Sequence, residues 1–438
     1  MKLVIFLFLI STGVVSSTIV PLHRRQRAGN SSNPLIVTEN GVTFEIEVQV
    51  NNQTFYLLPD TGSSDLWIPV SEFQCVDSAN GSEVPQEACQ FGATYQVPSS
   101  TEYVANQTFG VQYGDGIALG KVAYANVMLN GVAIQHQKIG LVDRTNDFGD
   151  GIGSGVLGLG FPSLTSAHPG TSLDNSTLLA NREVYDPVFV SMYKAGLVEP
   201  WYSFAIEAPP KNATSGPGGW LGLGQLPPVM HSDDWAIRPI QVTEGLPEEL
   251  TGGKNEISLM TLTVDGLIWK TSSMDNSTIN ATSFQAVVDT GNPMILVPAA
   301  VAEAVNNAFN PRAVFNDDSQ VYVVDCNATT PEFGVILDGY TFWQRSPDDF
   351  IYHHVDGFCY SSIGPTGQGS GLSLNFLGDV FLRNVVFVVD FEKEEMRFAA
   401  RVAANPSVTP PYINTAMRSD SLSWWRMSLV SAAVLWWL

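Results

Sequence analysis

One short pattern occurs twice in this chain, and it restricts the fold more than any other feature. Leu58-Pro59-Asp60-Thr61-Gly62 is followed by Leu66-Trp67-Ile68-Pro69, and Val288-Asp289-Thr290-Gly291 is followed by Ile295-Leu296-Val297-Pro298. Each copy has a later apolar-apolar-Gly element at a similar separation, Val156-Leu157-Gly158 in the first half and Phe376-Leu377-Gly378 in the second. A single hydrophobic core stops growing at about 250–300 residues, and the chain has 438. The pattern therefore reads as one lobe duplicated, with a join near Gly222–Trp235. The expected divisions are 35–225 for the first lobe and 226–404 for the second.

Composition and patterning point to an all-β chain. Val, Ile, Thr, Phe, Gly and Pro are plentiful, and runs of helix formers are few. Thr43–Val50 alternates, with Phe44, Ile46, Val48 and Val50 set against Glu45, Glu47 and Gln49, which predicts a half-buried strand. Asn130-Gly131 and Asp265-Gly266 lie between apolar runs and predict hairpin turns. Two helices are expected. One has Asp186 as N-cap and Pro187 at its first position, and stops at Gly196. The other covers Pro298–Asn310, where Val301, Ala304, Val305, Ala308 and Phe309 share a face.

An aspartate before a glycine is usually only a turn. Two such aspartates, each after an apolar strand and before another apolar run, predict two carboxylates on tight loops facing the join between the lobes. Two carboxylates in contact cannot both ionise easily, so one keeps its proton while the other loses it. Asp60 and Asp289 would then act as one unit, the ionised member taking a proton from water and the protonated member polarising a carbonyl. That chemistry needs no metal and no cofactor. Gly62 and Gly291 would let backbone pass close behind the carboxylates. Thr61 and Thr290 would lock the two loops together.

The formal net charge is −22, from 21 Lys and Arg against 43 Asp and Glu, which argues against a nucleic-acid partner. Such a chain repels itself at neutral pH and sheds much of its charge in acid. Met1–Ser17 reads as a secretory signal peptide. Residues 18–34, with His23, Arg24, Arg25 and Arg27, read as a short pro-segment cut at a dibasic site. Sequons begin at Asn30, Asn52, Asn80, Asn106, Asn175, Asn212, Asn276, Asn280 and Asn327 and predict glycosylation. Within 405–438, small residues at Asn414-Thr415-Ala416, a spacer and an apolar end at Met427–Leu438 fit a GPI-attachment signal at Asn414. The apolar run is too short to span a membrane. Four cysteines suit an oxidising compartment but allow three pairings. Local pairing, Cys75–Cys89 and Cys326–Cys359, would staple one loop in each half.

With these residues in view, residues 37–402 resemble the pepsin-like aspartic proteases. The motifs are Asp60-Thr61-Gly62-Ser63-Ser64, Leu66-Trp67-Ile68-Pro69, Tyr113-Gly114-Asp115-Gly116, Gly155-Val156-Leu157-Gly158-Leu159-Gly160, Asp289-Thr290-Gly291 and Leu377-Gly378-Asp379-Val380-Phe381. The resemblance implies a bilobal fold of two β-barrel-like lobes with a few short helices and a cleft between them. It implies a catalytic pair, Asp60 and Asp289, acting around one water on peptide or protein substrates, and a monomer. It implies that Tyr113 caps a flap hairpin and bonds Trp67, that Ser63 donates to Asp60, and that Ser64 supports the flap side. The cysteine spacings match the loop disulfides of the family. Asp115 falls where several fungal members carry an aspartate that favours a basic side chain before the cut, and a lid carboxylate would attract Lys or Arg.

Three departures stand out. Asn292 and Pro293 replace the usual Ser or Thr and the following Ser, and the Asn292 amide is expected to donate to Asp289. The pro-segment has no lysine to set against the dyad. Gly153-Ser154-Gly155-Val156-Leu157-Gly158 matches a dinucleotide-binding fingerprint by letter, but Gly160 and Pro162 leave no helix to open there. The competing reading is a cell-surface binding or cell-wall protein that has the same fold and little or no catalysis.

Overall fold

The computed structural model describes residues 18–24 and 43–402, apart from 79, 114–115, 130, 147–148, 150, 174–177, 208–216, 271–276, 318, 345–348, 354–356 and 367–373. The signal peptide, the GPI segment with Asn414, the flap-tip residues Gly114 and Asp115, and the sequons at Asn30, Asn175, Asn212 and Asn276 lie outside the described residues.

The chain is mostly strand, in two lobes that share one sheet. In the first lobe, Glu102–Tyr113, Gly116–Leu129, Val132–Asn146 and Leu66–Val76 pair in that order, followed by Val156–Gly158, Gln53–Asp60 and Phe44–Val50. The same sheet continues through Pro217–Leu223 and Trp201–Ile206 into the second lobe's Val385–Asp390 and Glu395–Ala400. Trp201 lies opposite Asp390 and Phe204 opposite Phe387, and the two rings stack 5.1 Å apart. The second lobe adds a five-stranded sheet around Phe284–Val288 and two four-stranded sheets.

Phe44, Ile46, Val48 and Val50 are buried as the alternation predicts, and Glu47 is exposed. Glu45 departs from the pattern and is fully buried. Strand Thr18–Arg24, inside the stretch read as pro-segment, explains this. It runs between Pro217–Leu223 and Phe44–Val50, with His23 opposite Glu45. That part of the segment is a strand of the shared sheet and not a loose arm.

The helices are shorter than their patterns. The first is Val188–Lys194, with Pro187 at its cap and Gly196 beyond it at φ +68°. Asp186 does not cap it; its carboxylate instead pairs with Lys194 Nζ at 2.7 Å. The second is Ala299–Asn306, where Val301 and Val305 are buried. Gly131 turns the hairpin joining Gly116–Leu129 to Val132–Asn146. Asp265-Gly266 makes no hairpin. Thr261–Val264 pairs with Phe284–Val288, whereas Gly266–Lys270 pairs with Glu332–Leu337. The chain passes from one sheet to another at this point, and the Asp265 carboxylate is taken by Arg238. Disulfides join Cys75 to Cys89 and Cys326 to Cys359.

Candidate active site

The repeat folds the same way twice. Strand Gln53–Asp60 carries Asp60 at its end, and Val156–Gly158 lies parallel beside it with Gly158 opposite Asp60. Val156–Gly158 also pairs antiparallel with Leu66–Val76. In the second lobe Phe284–Val288 leads into Asp289, Asn375–Leu377 lies parallel beside it, and Ile295–Val297 pairs antiparallel with Asn375–Leu377. Each aspartate is tied to the strand beside it. Leu159 N–H donates to the Asp60 carbonyl at 2.7 Å, and Asp289 N–H donates to the Leu377 carbonyl at 3.2 Å.

The two threonines cross between the lobes. Thr61 N–H donates to Thr290 Oγ1 and Thr290 N–H to Thr61 Oγ1, each at 3.0 Å. Their hydroxyls donate onward to the carbonyls of Val288 at 2.8 Å and Pro59 at 2.7 Å. This reciprocal lattice brings the two carboxyl groups within hydrogen-bonding reach of each other. A Cβ on Gly62 would stand 2.7 Å from Asp289 Oδ1, and one on Gly291 would stand 2.6 Å from Asp60 Oδ1. Any side chain there would occupy the space of the opposite carboxylate.

Both aspartates are buried, and desolvation is the main force on each, raising both pKa values. Their remaining surroundings differ. Asp60 accepts Gly62 N–H at Oδ1 (2.8 Å) and the Ser63 hydroxyl at Oδ2, and both donors favour its ionised form. Asp289 accepts Gly291 N–H at Oδ1 (2.8 Å), and among the described residues no N–H or O–H reaches its Oδ2. The charges of Asp60 and Asp379 raise Asp289 further, well above the ordinary carboxylate range. The proton of the pair therefore belongs on Asp289.

Two expected contacts are not made. Asn292 does not donate to Asp289; its Oδ1 turns back to accept Met294 N–H at 2.9 Å. Asn292 closes a local turn there in preference to reaching the carboxylate. Ser64 does not support the flap. Its hydroxyl donates to the Phe161 carbonyl at 2.6 Å, on the chain just past Val156–Gly158. Gly160, two residues past that strand, packs so closely that a Cβ there would lie 2.7 Å from Ser64 Oγ.

Tyr113 ends strand Glu102–Tyr113 opposite Gly116, at the base of the hairpin tip. Its hydroxyl accepts the Trp67 indole N–H at 2.7 Å. Trp67 is fully buried and meets the Phe91 ring edge-on at 6.1 Å.

Sequence reading missed a buried group behind the loop. Asp65 Oδ1 accepts Ser166 N–H at 3.0 Å and the Tyr185 hydroxyl. Burial raises its pKa, while Tyr185, Ser166 and the charge of Arg182 pull it down. The one available signal was position, since Asp65 directly follows Ser64 in the first motif and has no acidic counterpart in the second.

The sequence profile of eukaryotic aspartyl proteases matches residues 43–401. The chain belongs to this family. A probable aspartic-type endopeptidase of Aspergillus fumigatus is 35% identical over 387 residues, 87% of this chain and 83% of its own. Human gastricsin is 26% identical across 81% of this chain and 80% of its own. The crystal structure of an aspartic proteinase from Irpex lacteus has a TM-score of 0.61 at 20% identity, covering 88% of this chain and 98% of that one. The last comparison speaks for the fold, and the first two for the family.

Proposed function

We propose that the chain is an aspartic endopeptidase that hydrolyses peptide bonds in acid, using a water held between Asp60 and Asp289. One observation carries the reading. Two loops from two lobes bring buried carboxylates together with donors arranged so that only one of them holds a proton. Asp60 is the base and takes a proton from the water as its oxygen attacks the scissile carbonyl carbon. Asp289 gives its proton to the carbonyl oxygen, forming a neutral gem-diol. The proton on Asp60 then passes to the leaving nitrogen, the C–N bond breaks, and Asp289 recovers its proton from the diol. Tyr113, anchored by Trp67, is the residue that would cover this point.

The test is cleavage of an unstructured protein by the purified chain between pH 3 and 7. Cleavage must be abolished by Asp60→Asn and by Asp289→Asn. No cleavage by the parent rejects the mechanism and favours the binding-protein reading; cleavage surviving in either variant rejects the dyad as its source.

Four finer elements belong to the same proposal. The acidic composition suits work in acid. Asp115 favours a basic residue before the cut, which sequencing the cut sites decides. The protein enters the secretory pathway, loses residues 1–17 and is glycosylated. Asn52, Asn80, Asn106 and Asn327 are exposed and suited to carry glycans, and glycosidase-induced mobility shifts check this. A GPI anchor at Asn414 holds it at the cell surface as a monomer. Failure of a GPI-specific phospholipase to release it from membranes counts against the anchor.

A further inference from the structure

A pocket opens beside the dyad between the two lobes. Gly62, Ser63 and Tyr113 form one side of it, and Leu250, Leu259 and Phe376 form the other. Half of the remaining lining is aliphatic, Val111, Leu164, Leu178 and Leu179, and two side chains are charged, Asp65 and Arg182. Asp65 is sealed in and already accepts Ser166 and Tyr185. Arg182 reaches across the cleft from the first lobe and donates one N–H to the Leu250 carbonyl on Glu248–Thr251 of the second. A guanidinium carries five N–H donors in a fixed fork. Among the described residues no carboxylate forms an ion pair with it; Asp65 and Glu256 act on it only through space. Glu248 and Glu249 share the short helix that it touches.

A cation held in an aliphatic pocket is costly unless a partner meets it. The position also matters. The pocket shares Gly62, Ser63 and Tyr113 with the dyad loop and flap, so whatever fills it is a residue close to the scissile bond.

We propose that Arg182 is a specificity residue that receives a substrate carboxylate in this pocket, from a glutamate side chain or from the peptide's own C-terminus. The leucines take the methylene stem of a glutamate, and the free donors of the guanidinium take its carboxylate bidentately. The inference rests on the peptidase reading, and goes beyond it by naming a substrate group. It is compatible with a basic residue before the cut, because Asp115 and Arg182 would read different positions.

The test uses matched peptides with a single cut site, carrying Glu, Gln or Leu at each flanking position in turn. A second pair ends at the favoured position as free acid or amide, to separate side chain from C-terminus. Each is assayed on the parent, Arg182→Gln and Arg182→Lys, with thermal melting to check folding. At one position Glu should exceed Gln by about tenfold in kcat/KM, the scale of one charge-assisted hydrogen bond. The ratio should appear above about pH 4.3, where a glutamate ionises. It should fall to about one in Arg182→Gln and survive in part in Arg182→Lys. A free-acid preference abolished by Arg182→Gln supports the site with the C-terminus as its source. The inference is overturned if neither acid is preferred by the parent, or if the preference persists in Arg182→Gln. If nothing is cleaved, the peptidase reading fails separately, and the site is read by calorimetry with the same peptides bearing a reduced scissile bond. Equal binding of the Glu and Gln forms then overturns it. Tighter Glu binding, lost in Arg182→Gln, supports it.

Discussion

The sharpest consequence of the dyad's asymmetry concerns Asn292→Ser. Asp60 has Ser63 three residues on, and that hydroxyl donates to its Oδ2. Asp289 has Asn292 three residues on, and that side chain turns away to Met294 N–H. A serine at 292 restores the hydroxyl of the first loop and aims it at the Asp289 oxygen that lacks a donor. A hydrogen bond to a charged group contributes about 1.5–3 kcal/mol, and one pKa unit corresponds to about 1.4 kcal/mol. The donor favours ionised Asp289, so its pKa falls by about one to two units. The active form carries one proton on the pair, and activity is lost on the alkaline side when that proton leaves. The alkaline limb of the kcat/KM profile should therefore move down by about one to two pH units, while the acid limb, governed mainly by Asp60, stays within a few tenths. Ser63→Ala is the mirror experiment: it removes a donor from Asp60, raises that pKa and moves the acid limb up. The substitution at 292 also strips Met294 N–H of its acceptor, so a stability loss of about 1–3 kcal/mol accompanies it. An alkaline limb that stays in place or moves up in a folded Asn292→Ser protein refutes this account of the dyad.

Three further outcomes follow from the same contacts. Gly62→Ala sets a Cβ 2.7 Å from Asp289 Oδ1, too close for the carboxylate to keep its place; a displacement of this kind should lower kcat about a hundredfold or more, read by steady-state kinetics. Thr61→Val removes the acceptor of Thr290 N–H and the donor to Val288; two buried groups lose a partner, so denaturant unfolding should show a loss of about 1–3 kcal/mol or more. Asp289→Asn bears on stability as well as activity: Asp289 has a folded pKa above its unfolded value, so its stabilising contribution is present below about pH 4 and is lost as pH rises through the folded value. An asparagine has no such dependence, so the fall in melting temperature between pH 4 and pH 7 should be smaller in the variant, and an unchanged fall contradicts the raised pKa.

What could be seen in the sequence was what a short segment encodes by itself. Asp-Thr-Gly after an apolar strand specifies the loop, and the threonine lock, which joins residues 229 apart, was legible because the same short segment occurs twice. Tyr113 with Trp67 came from the resemblance, and the geometry agrees with it. The features that escaped depend on partners far along the chain. Asp65 is held by Ser166 and Tyr185, 101 and 120 residues away. Glu45 looks like a solvent-facing residue until strand Thr18–Arg24 is laid beside it. Asp265-Gly266 has turn chemistry, but the pairings of its two flanking strands separate them into different sheets. In each case tertiary context overrode a correct local rule.

The duplication is most informative where it fails. Strand pairing sets Leu58 beside Val156 and Asp60 beside Gly158, and it sets Val288 beside Leu377, so Leu159 and Asp379 occupy equivalent places one residue beyond the paired glycines. The first lobe thus has an aliphatic residue behind its aspartate and a hydroxyl, Ser63, in front. The second has a buried carboxylate behind, Asp379, and a side chain in front that bonds its own backbone. The position of Asn292 is fixed by more than its amide. Asp379 N–H donates to the Asn292 carbonyl at 2.8 Å, Gly378 N–H to that of Met294 at 3.0 Å, and a Cβ on Gly378 would strike the Asn292 carbonyl at 2.1 Å. Both departures push in one direction, lowering the proton affinity of Asp60 and raising that of Asp289. A symmetric pair would share its proton between two equal sites, and water would meet either carboxylate as base. In the proposed mechanism this asymmetry makes Asp60 the base and Asp289 the acid before any substrate arrives.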